Sequence, residues 1–543
     1  MWNSKEALKG LALELVKVQS ISNTKGEIDM ANLVYDKLSQ LDYYRENPNH
    51  LNLVSVNDEL GRFCVCALMK SKKQTKKTLL TLCHLDTVGV EDAGSLKEYI
   101  FDANKYTEKL KENIDSLDED SKKDLLSGNW LFGRGIMDMK TGLAIQMSLI
   151  EHFSSLEDFE GNIMLVAVAD EEANSAGAIS VIPYINKILE KENLEPVAVL
   201  NCEPDFSLYK GDGNKYIYTG SCGKLLPGFF VVGKEVHVGE ILSGMNANLI
   251  GSELIRRLEL NTDLCDKIGE DITMPPTCLK YKDNKDEYNV QTPISSTIYY
   301  NLQTFKITPK EVLEKLKIVC YEAITASMEK LNKARIEYEK ITNGKYIAKD
   351  IDMNIKVLTF DELYSQVLMD NGKEFNIHLE NKIKDWLKDK NMDERDLSSA
   401  IVSEVHKFSK DRNPMIIIFF APPYYPNVGI NNELELDKKL LKVVDNIIQY
   451  SKEEYNIEIK KQNYFQGLSD LSYFRLENED DIINFLGPNM PIIKYKYKLP
   501  LEEIKKLNVP VVNLGPHGKD AHKFTERILV DYSYDILPRL IKK

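Results

Sequence analysis

The run Asn162-Ile-Met-Leu-Val-Ala-Val-Ala169-Asp170-Glu171-Glu172-Ala173 passes without a break from apolar residues to three consecutive carboxylates. An apolar stretch this short, with no polar alternation, is the pattern of a strand buried on both faces of a sheet. Three carboxylates directly behind it are costly unless water solvates them or a cation neutralises them. Adjacent residues point in different directions, so one can bind a metal while its neighbour serves as a base; a solvated acidic turn explains the run equally well. Residues 196–201 form a second apolar run of the same kind, and a helical pattern begins near Ser175 between the two. Strand, helix, strand in this order marks an α/β layer fold.

Outward from this unit, residues 7–18 and 27–40 read as helices, and 51–56, 62–69 and 78–83 as strands. In the middle of the chain 216–218, 229–236 and 295–304 read as strands, and 246–258 and 309–331 as helices. Residues 333–412 are charged and less regular. The buried-strand style resumes at 414–420, followed by a helix over 435–456 and a last strand over 511–514. The expected organisation is a discontinuous mixed-sheet α/β domain, 1–213 and 412–543, interrupted by an α+β segment, 214–411, that contains the extra stretch of about 333–411. Neither G-x-G-x-x-G nor G-x-x-x-x-G-K-[ST] occurs, so nucleotide binding has no support.

The 543 residues are 43% hydrophobic and 28% charged, an ordinary globular composition. The formal net charge of -14 argues against nucleic acid or an anionic membrane as the main partner. The beginning, Met1-Trp2-Asn3-Ser4-Lys5-Glu6, lacks the cationic start and apolar core of a leader, and the longest apolar run is far short of a membrane span. The cytoplasm is the expected compartment. The eight cysteines include no C-x-x-C pair and read as free, mostly buried thiols.

Four further segments hold metal-competent side chains. Cys83-His84-Leu85-Asp86-Thr87 ends an apolar strand, and spacing by two lets Asp86 sit behind His84 and orient it. Phe132-Gly-Arg-Gly135-Ile-Met-Asp138-Met-Lys140 delivers Asp138 from a glycine-rich turn, although an aspartate before a helix is also an ordinary cap. Asn201-Cys202-Glu203-Pro204 places a carboxylate at another strand end. Gly515-Pro516-His517-Gly518-Lys519-Asp520-Ala521-His522-Lys523-Phe524-Thr525-Glu526 follows the last strand and carries two of the eight histidines. Each alone has a bland explanation. Together they put ligand-type residues where open α/β sheets place their sites. Imidazole with carboxylate and no thiolate suits zinc, cobalt or manganese in a hydrolytic role. A pair of such ions stands about 3.5–4 Å apart around a shared carboxylate.

The order and wording of these segments resemble the co-catalytic zinc peptidases that include aminoacylase, carboxypeptidase G and succinyl-diaminopimelate desuccinylase. Gly233-Lys-Glu-Val-His237, Gly244-Met-Asn246-Ala247 and Gly467-Leu-Ser-Asp470 extend the resemblance over most of the chain outside 333–412. The resemblance implies a catalytic domain with an inserted lid and dimerisation domain. It implies two divalent ions, zinc before cobalt or manganese, with His84 and Glu203 on one, Glu172 and His522 on the other, and Asp138 bridging. Glu171 is then the general base, Asp86 orients His84, and His237 donates to the developing oxyanion of a neighbouring subunit's site. His522 is preferred over His517 as ligand because Glu526 follows it by four residues, as in the family pattern. Asn246 and Gln303 are the implied substrate-binding residues. Where relatives often carry an arginine that grips a substrate carboxylate, this chain has Gln303, which cannot give that charged bidentate grip.

Tyr288-Asn-Val-Gln-Thr-Pro293 and Ser469-Asp-Leu-Ser-Tyr473 resemble an arginine-utilisation branch of the family, which implies arginine or ornithine breakdown. The expected partner is a small amide or peptide substrate, and the expected assembly a homodimer through the lid. A dipeptidase or carboxypeptidase is the rival enzyme. A metal-bound sensor is the rival outside enzymes, and the intact Glu171 speaks against it.

Overall fold

The computed structural model describes all residues except 206, 210, 347–355, 390–391 and 478. The chain forms two compact units. The first comprises residues 1–222, 426–476 and 500–543, the second residues 223–425 and 477–499.

In the first unit eight strands form one sheet in the order Leu51–Ser55, Phe63–Met69, Asn162–Val168, Lys77–His84, Glu195–Asn201, Val511–Asn513, Lys215–Tyr218, Ile459–Gln462. The four strands from Asn162–Val168 to Val511–Asn513 run parallel. Asn162–Val168 is buried at every position, as a strand covered on both faces must be. One cover is the helix Thr141–Ser154, buried continuously from Thr141 to Ile150 and packed against the helix Lys5–Val16. Gln146 inside it donates to the Leu82 carbonyl at 2.6 Å, tying helix to strand. The helix comes this close because residue 142 is glycine: a Cβ there would stand 2.3 Å from the Cys202 carbonyl oxygen. Lys77–His84 is central, with the next two parallel strands on opposite sides of it. The carboxyl ends around it therefore open at a topological switch point.

The second unit holds a five-stranded sheet in the order Thr277–Asp283, Ser295–Thr304, Gly223–Val232, Met415–Tyr425, Lys356–Thr359. All neighbours are antiparallel except the last pair. Met415–Tyr425, read from sequence as resuming the first sheet, belongs here because its Met415 to Ala421 backbone pairs with Val232 to Leu226. Lys215–Tyr218, read as a middle-segment strand, lies in the first sheet, parallel to Ile459–Gln462. Residues 333–411 are more regular than expected. Pro309–Ile341 continues into the stretch, and Phe360–Trp386, broken at Gly372 (φ +68°), and Glu394–Lys407 are helices. Leu363 and Val367, then Phe375, Leu379 and Ile383, are buried at four-residue spacing beneath a charged surface. The parts of this stretch at 347–355 and 390–391 lie outside the described residues. No helix among the described residues is long and apolar enough to cross a membrane.

Candidate metal centre

His84 closes its strand, Glu171 and Glu172 follow Asn162–Val168, and Glu203 follows Glu195–Asn201. Asp138 arrives from the turn before the helix Thr141–Ser154, and His522 from the loop between the short strands Gly518–Lys519 and Arg527–Leu529. The Asp138 carboxylate lies between two imidazoles. Its Oδ1 is 3.1 Å from His84 Nε2 and its Oδ2 is 3.2 Å from His522 Nε2. Glu203 Oε1 is 3.6 Å from His84 Nε2, and Glu172 Oε1 is 3.0 Å from His522 Nε2. The donor atoms of His84, Asp138 and Glu172 lie within 4.8 Å of one another, as do those of His84, Glu171 and Glu203.

The backbone that presents these groups is held in costly conformations. Asp170 and His522 have φ of +69° and +66°, a region disfavoured for residues other than glycine. A buried network secures Asp170: Arg62 Nη1 donates to its Oδ1 at 2.7 Å and to Glu27 at 2.9 Å, while Glu27 accepts the Asp170 N–H at 2.9 Å. Glu203 is fixed from the other side, where Asn513 Nδ2 donates to its carbonyl at 3.0 Å.

Asp86 meets His84 through its backbone carbonyl, with its carboxylate behind it. His84 Nδ1 donates to the backbone carbonyl of Asp86 at 3.0 Å, and the Asp86 carboxylate stands 3.7 Å away. That carboxylate instead accepts the N–H groups of Glu171 (3.1 Å) and Glu172 (3.2 Å) and the Ser22 hydroxyl (2.6 Å). The carbonyl is the better placed partner, so the aspartate's side chain is left to hold the carboxylate pair.

This donor set fits divalent cations. With its Nδ1–H committed to Asp86, His84 turns Nε2 toward the Asp138 and Glu203 oxygens, where a neutral ring's lone pair would be repelled unless a positive charge, a proton or a metal ion, stood between them. Burial works against a proton on His84, yet Glu203 and Asp138 raise its pKa well above the usual imidazole range. At His522 burial is likewise outweighed, by Asp138 and Glu172, and the pKa rises to about 11. Burial, with Asp138 adding to it, pushes Glu203 up to about 8, and burial with Glu203 and Asp470 raises Glu171 well above its ordinary value. Asp138 moves the other way: its burial is overcome by the two imidazoles, which lower it.

His517 is not in this group. It pairs with Asp205 and stands among the rings of Trp130 and Tyr532. His237, Asn246 and Gln303 belong to the second unit. His237 is exposed, and its Nδ1 accepts the Gly239 N–H at 3.1 Å, which leaves the ring proton on Nε2. Asn246 caps the helix Ala247–Leu258 through its side-chain oxygen, and Gln303 Oε1 accepts the Met274 N–H at 3.2 Å. Sequence reasoning had no reason to single out Glu27 or Arg62, and it used Glu526 only as a marker of the His522 motif, without its contact to the Asp138 backbone. The buried Asp470, whose pKa burial raises to about 7, had only its place in a family-like loop to mark it.

Residues 110–531 match peptidase family M20/M25/M40. The chain is 38% identical to the uncharacterized protein YqjN of Bacillus subtilis strain 168, over 99% of this chain and 96% of that protein. It is 33% identical to protein RocB of the same organism, over 100% of this chain and 94% of that one. Its fold is shared with the M20 family metallo-carboxypeptidase Sso-CP2 from Sulfolobus solfataricus, with a TM-score of 0.53 at 14% identity, covering 98% of this chain and 97% of that one. This chain belongs to peptidase family M20/M25/M40 and is a metallohydrolase acting on peptide bonds.

Proposed function

We propose that this metallohydrolase cleaves the amide bond of an N-acyl amino acid or short peptide, with arginine and ornithine derivatives first among the substrates to test. The observation that carries the reading is the Asp138 carboxylate, with one oxygen toward each of two imidazoles that each face a further carboxylate. His84 and Glu203 would hold one divalent ion and His522 and Glu172 the other, with Asp138 shared and zinc the first choice of metal. Bound there, the ions supply charge that brings the pKa of a water toward neutrality and polarises a carbonyl.

The chain's own residues do the rest. Glu171, whose carboxylate is grouped with His84 and Glu203, takes a proton from the attacking water and passes it to the leaving amine. Asp86 keeps the Glu171 and Glu172 backbone in place by accepting both N–H groups. His237, with its proton on Nε2, is fitted to donate to an oxyanion in a partner subunit's site. Asn246 and Gln303 would meet the substrate's terminal group with amides in place of a guanidinium. The partner subunit is proposed to dock on Thr277–Asp283, an edge strand with Leu279 and Tyr281 exposed, and a cytoplasmic setting completes the reading.

The test is amine release from a panel of N-acyl amino acids and dipeptides weighted to arginine, ornithine and glutamate, with Glu171→Gln beside the wild type. Turnover that vanishes in the variant supports the reading and names the substrate class. Full turnover in the variant removes Glu171 as base. Two bound metals without turnover on any member would point to a substrate outside the panel or to a sensor.

A further inference from the structure

The glutamate that closes the last motif lies beneath the shared aspartate. Glu526 is 1% exposed, and its Oε1 accepts the backbone N–H groups of Met137 (3.2 Å) and Asp138 (3.4 Å). Its backbone is joined to the same turn, since the Gly133 N–H donates to the Glu526 carbonyl at 3.0 Å. The other carboxylate oxygen, Oε2, has no hydrogen bond and faces Arg134 Nε at 3.5 Å. Arg134 is itself buried at 1%, and its Nη2 donates to both oxygens of Asp92, at 2.9 and 3.1 Å. A continuous chain of charged groups thus runs from Asp92 through Arg134 and Glu526 to the peptide that carries Asp138.

This arrangement explains the spacing of His522 and Glu526. Glu526 ends the turn that leads into the short strand Arg527–Leu529, whose Arg527 pairs with Phe132, the residue before Gly133. The segment that brings His522 to one oxygen of Asp138 therefore also brings a carboxylate to the Asp138 backbone. Two ligands from segments almost 400 residues apart share one support.

We propose that Glu526, clamped by Arg134, is a positioning residue for the metal centre: it sets the Asp138 backbone so that each carboxylate oxygen faces one imidazole. The inference rests on the metal reading given above. Outer partners of metal ligands are commonly worth about 10–100-fold in metal affinity. Buried N–H groups left without an acceptor would move rather than stay unpaired, and Asp138 would move with them.

The experiment is a cobalt(II) titration of the full chain, read by visible absorption, for the wild type, Glu526→Asp, Glu526→Gln and Arg134→Met. Glu526→Asp keeps the charge but falls one methylene short of the two N–H groups, so it should bind at least about tenfold more weakly, with an altered absorption band. Glu526→Gln keeps an acceptor oxygen in place and should stay within about threefold of the wild type. A purely packing role would lower thermal stability in both variants and leave the cobalt affinity unmoved. Wild-type affinity and spectrum in a folded Glu526→Asp would overturn the proposal. Should that variant not fold, Arg134→Met carries the test, with weaker cobalt binding expected and unchanged binding overturning it. A wild type that binds no cobalt overturns the metal reading and this inference together, whereas wild-type binding matched by every variant overturns this inference alone.

Discussion

In the first unit, carboxylates at neighbouring parallel strand ends face one another and two imidazoles. In the second, Asp266, Glu311 and Glu362 are instead satisfied by backbone N–H groups. Asp266 shows the second arrangement: its Oδ2 accepts the N–H groups of Phe305, Lys306 and Ile307 at 2.6–2.8 Å, and these donors outweigh its burial and lower its pKa. Glu311 and Glu362 close capping boxes with Thr308 and Thr359. Glu203 in the first unit has no such set of donors, and burial beside Asp138 pushes it up to about 8. These second-unit carboxylates are satisfied by backbone donors, whereas at the rim of the first unit they gather around His84 and His522. Parallel strands make the difference, because they bring several carboxyl ends to one rim, while antiparallel neighbours send theirs to opposite edges.

The largest expected effect tests that rim. Glu171→Gln should lower kcat by about 10²–10⁴-fold, the range for a lost general base, while metal content measured on the purified protein stays at the wild-type value. A variant that loses metal instead would place Glu171 among the ligands.

The next effect belongs to the second unit and has the opposite dependence on charge. His406 is buried beside Phe230, its Nε2 has no hydrogen-bond partner, and burial together with Arg412 lowers its pKa to about 4. Below the ordinary histidine value of 6.5 the unfolded chain takes a proton that the folded chain refuses. Stability is therefore full above pH 6.5 and falls as the pH drops toward 4, by up to about 3 kcal/mol. In urea unfolding at pH 7 and pH 5, His406→Phe should flatten this loss. An unchanged slope would show that the ring is protonated when folded.

Metal should then stabilise the first unit selectively. A divalent ion at a hundred times its Kd adds about 2.7 kcal/mol per site. Hydrogen exchange should slow over Lys77–His84 and Asn162–Val168 on adding zinc, with Ser295–Thr304 unaffected. Equal slowing in both strand sets would break the contrast between the units.

The parallel strands were legible because a strand buried on both faces is written as an apolar run, and three of the four runs lead directly to a residue that could hold metal. The same property hid the sheet to which Met415–Tyr425 belongs, since a strand buried throughout has no polar face to report its neighbours. The helices Phe360–Trp386 and Glu394–Lys407 were masked by charge, which crowds the exposed face and obscures a four-residue apolar stripe. At the centre, the five segments could be picked out singly by residue type. What holds them could not, because Arg62 reaches Asp170 and Glu526 reaches Asp138 across more than a hundred residues. No local pattern marks a carboxylate that accepts a distant N–H, so the hold of Asp86 on the Glu171 and Glu172 backbone could not be read beside its place behind His84.

The smallest effect on stability, and the sharpest on assembly, concerns the edge strand Thr277–Asp283. Its neighbour Ser295–Thr304 occupies one side, and the other edge of the sheet is paired as far as Lys356–Thr359. Leu279 and Tyr281 are 57% and 38% exposed. Apolar side chains on an open edge are what a folded protein avoids unless another chain covers them. Leu279→Lys puts a charge there without touching the core, so its cost to folding should stay within about 0.5 kcal/mol. If the proposed dimer forms through this strand, light scattering should show a dimer for the wild type and a monomer for this variant. Amide hydrolysis should fall with it if His237 serves the partner's site, and persist in the monomer if each chain works alone. A dimer that survives the lysine would move the interface off this strand.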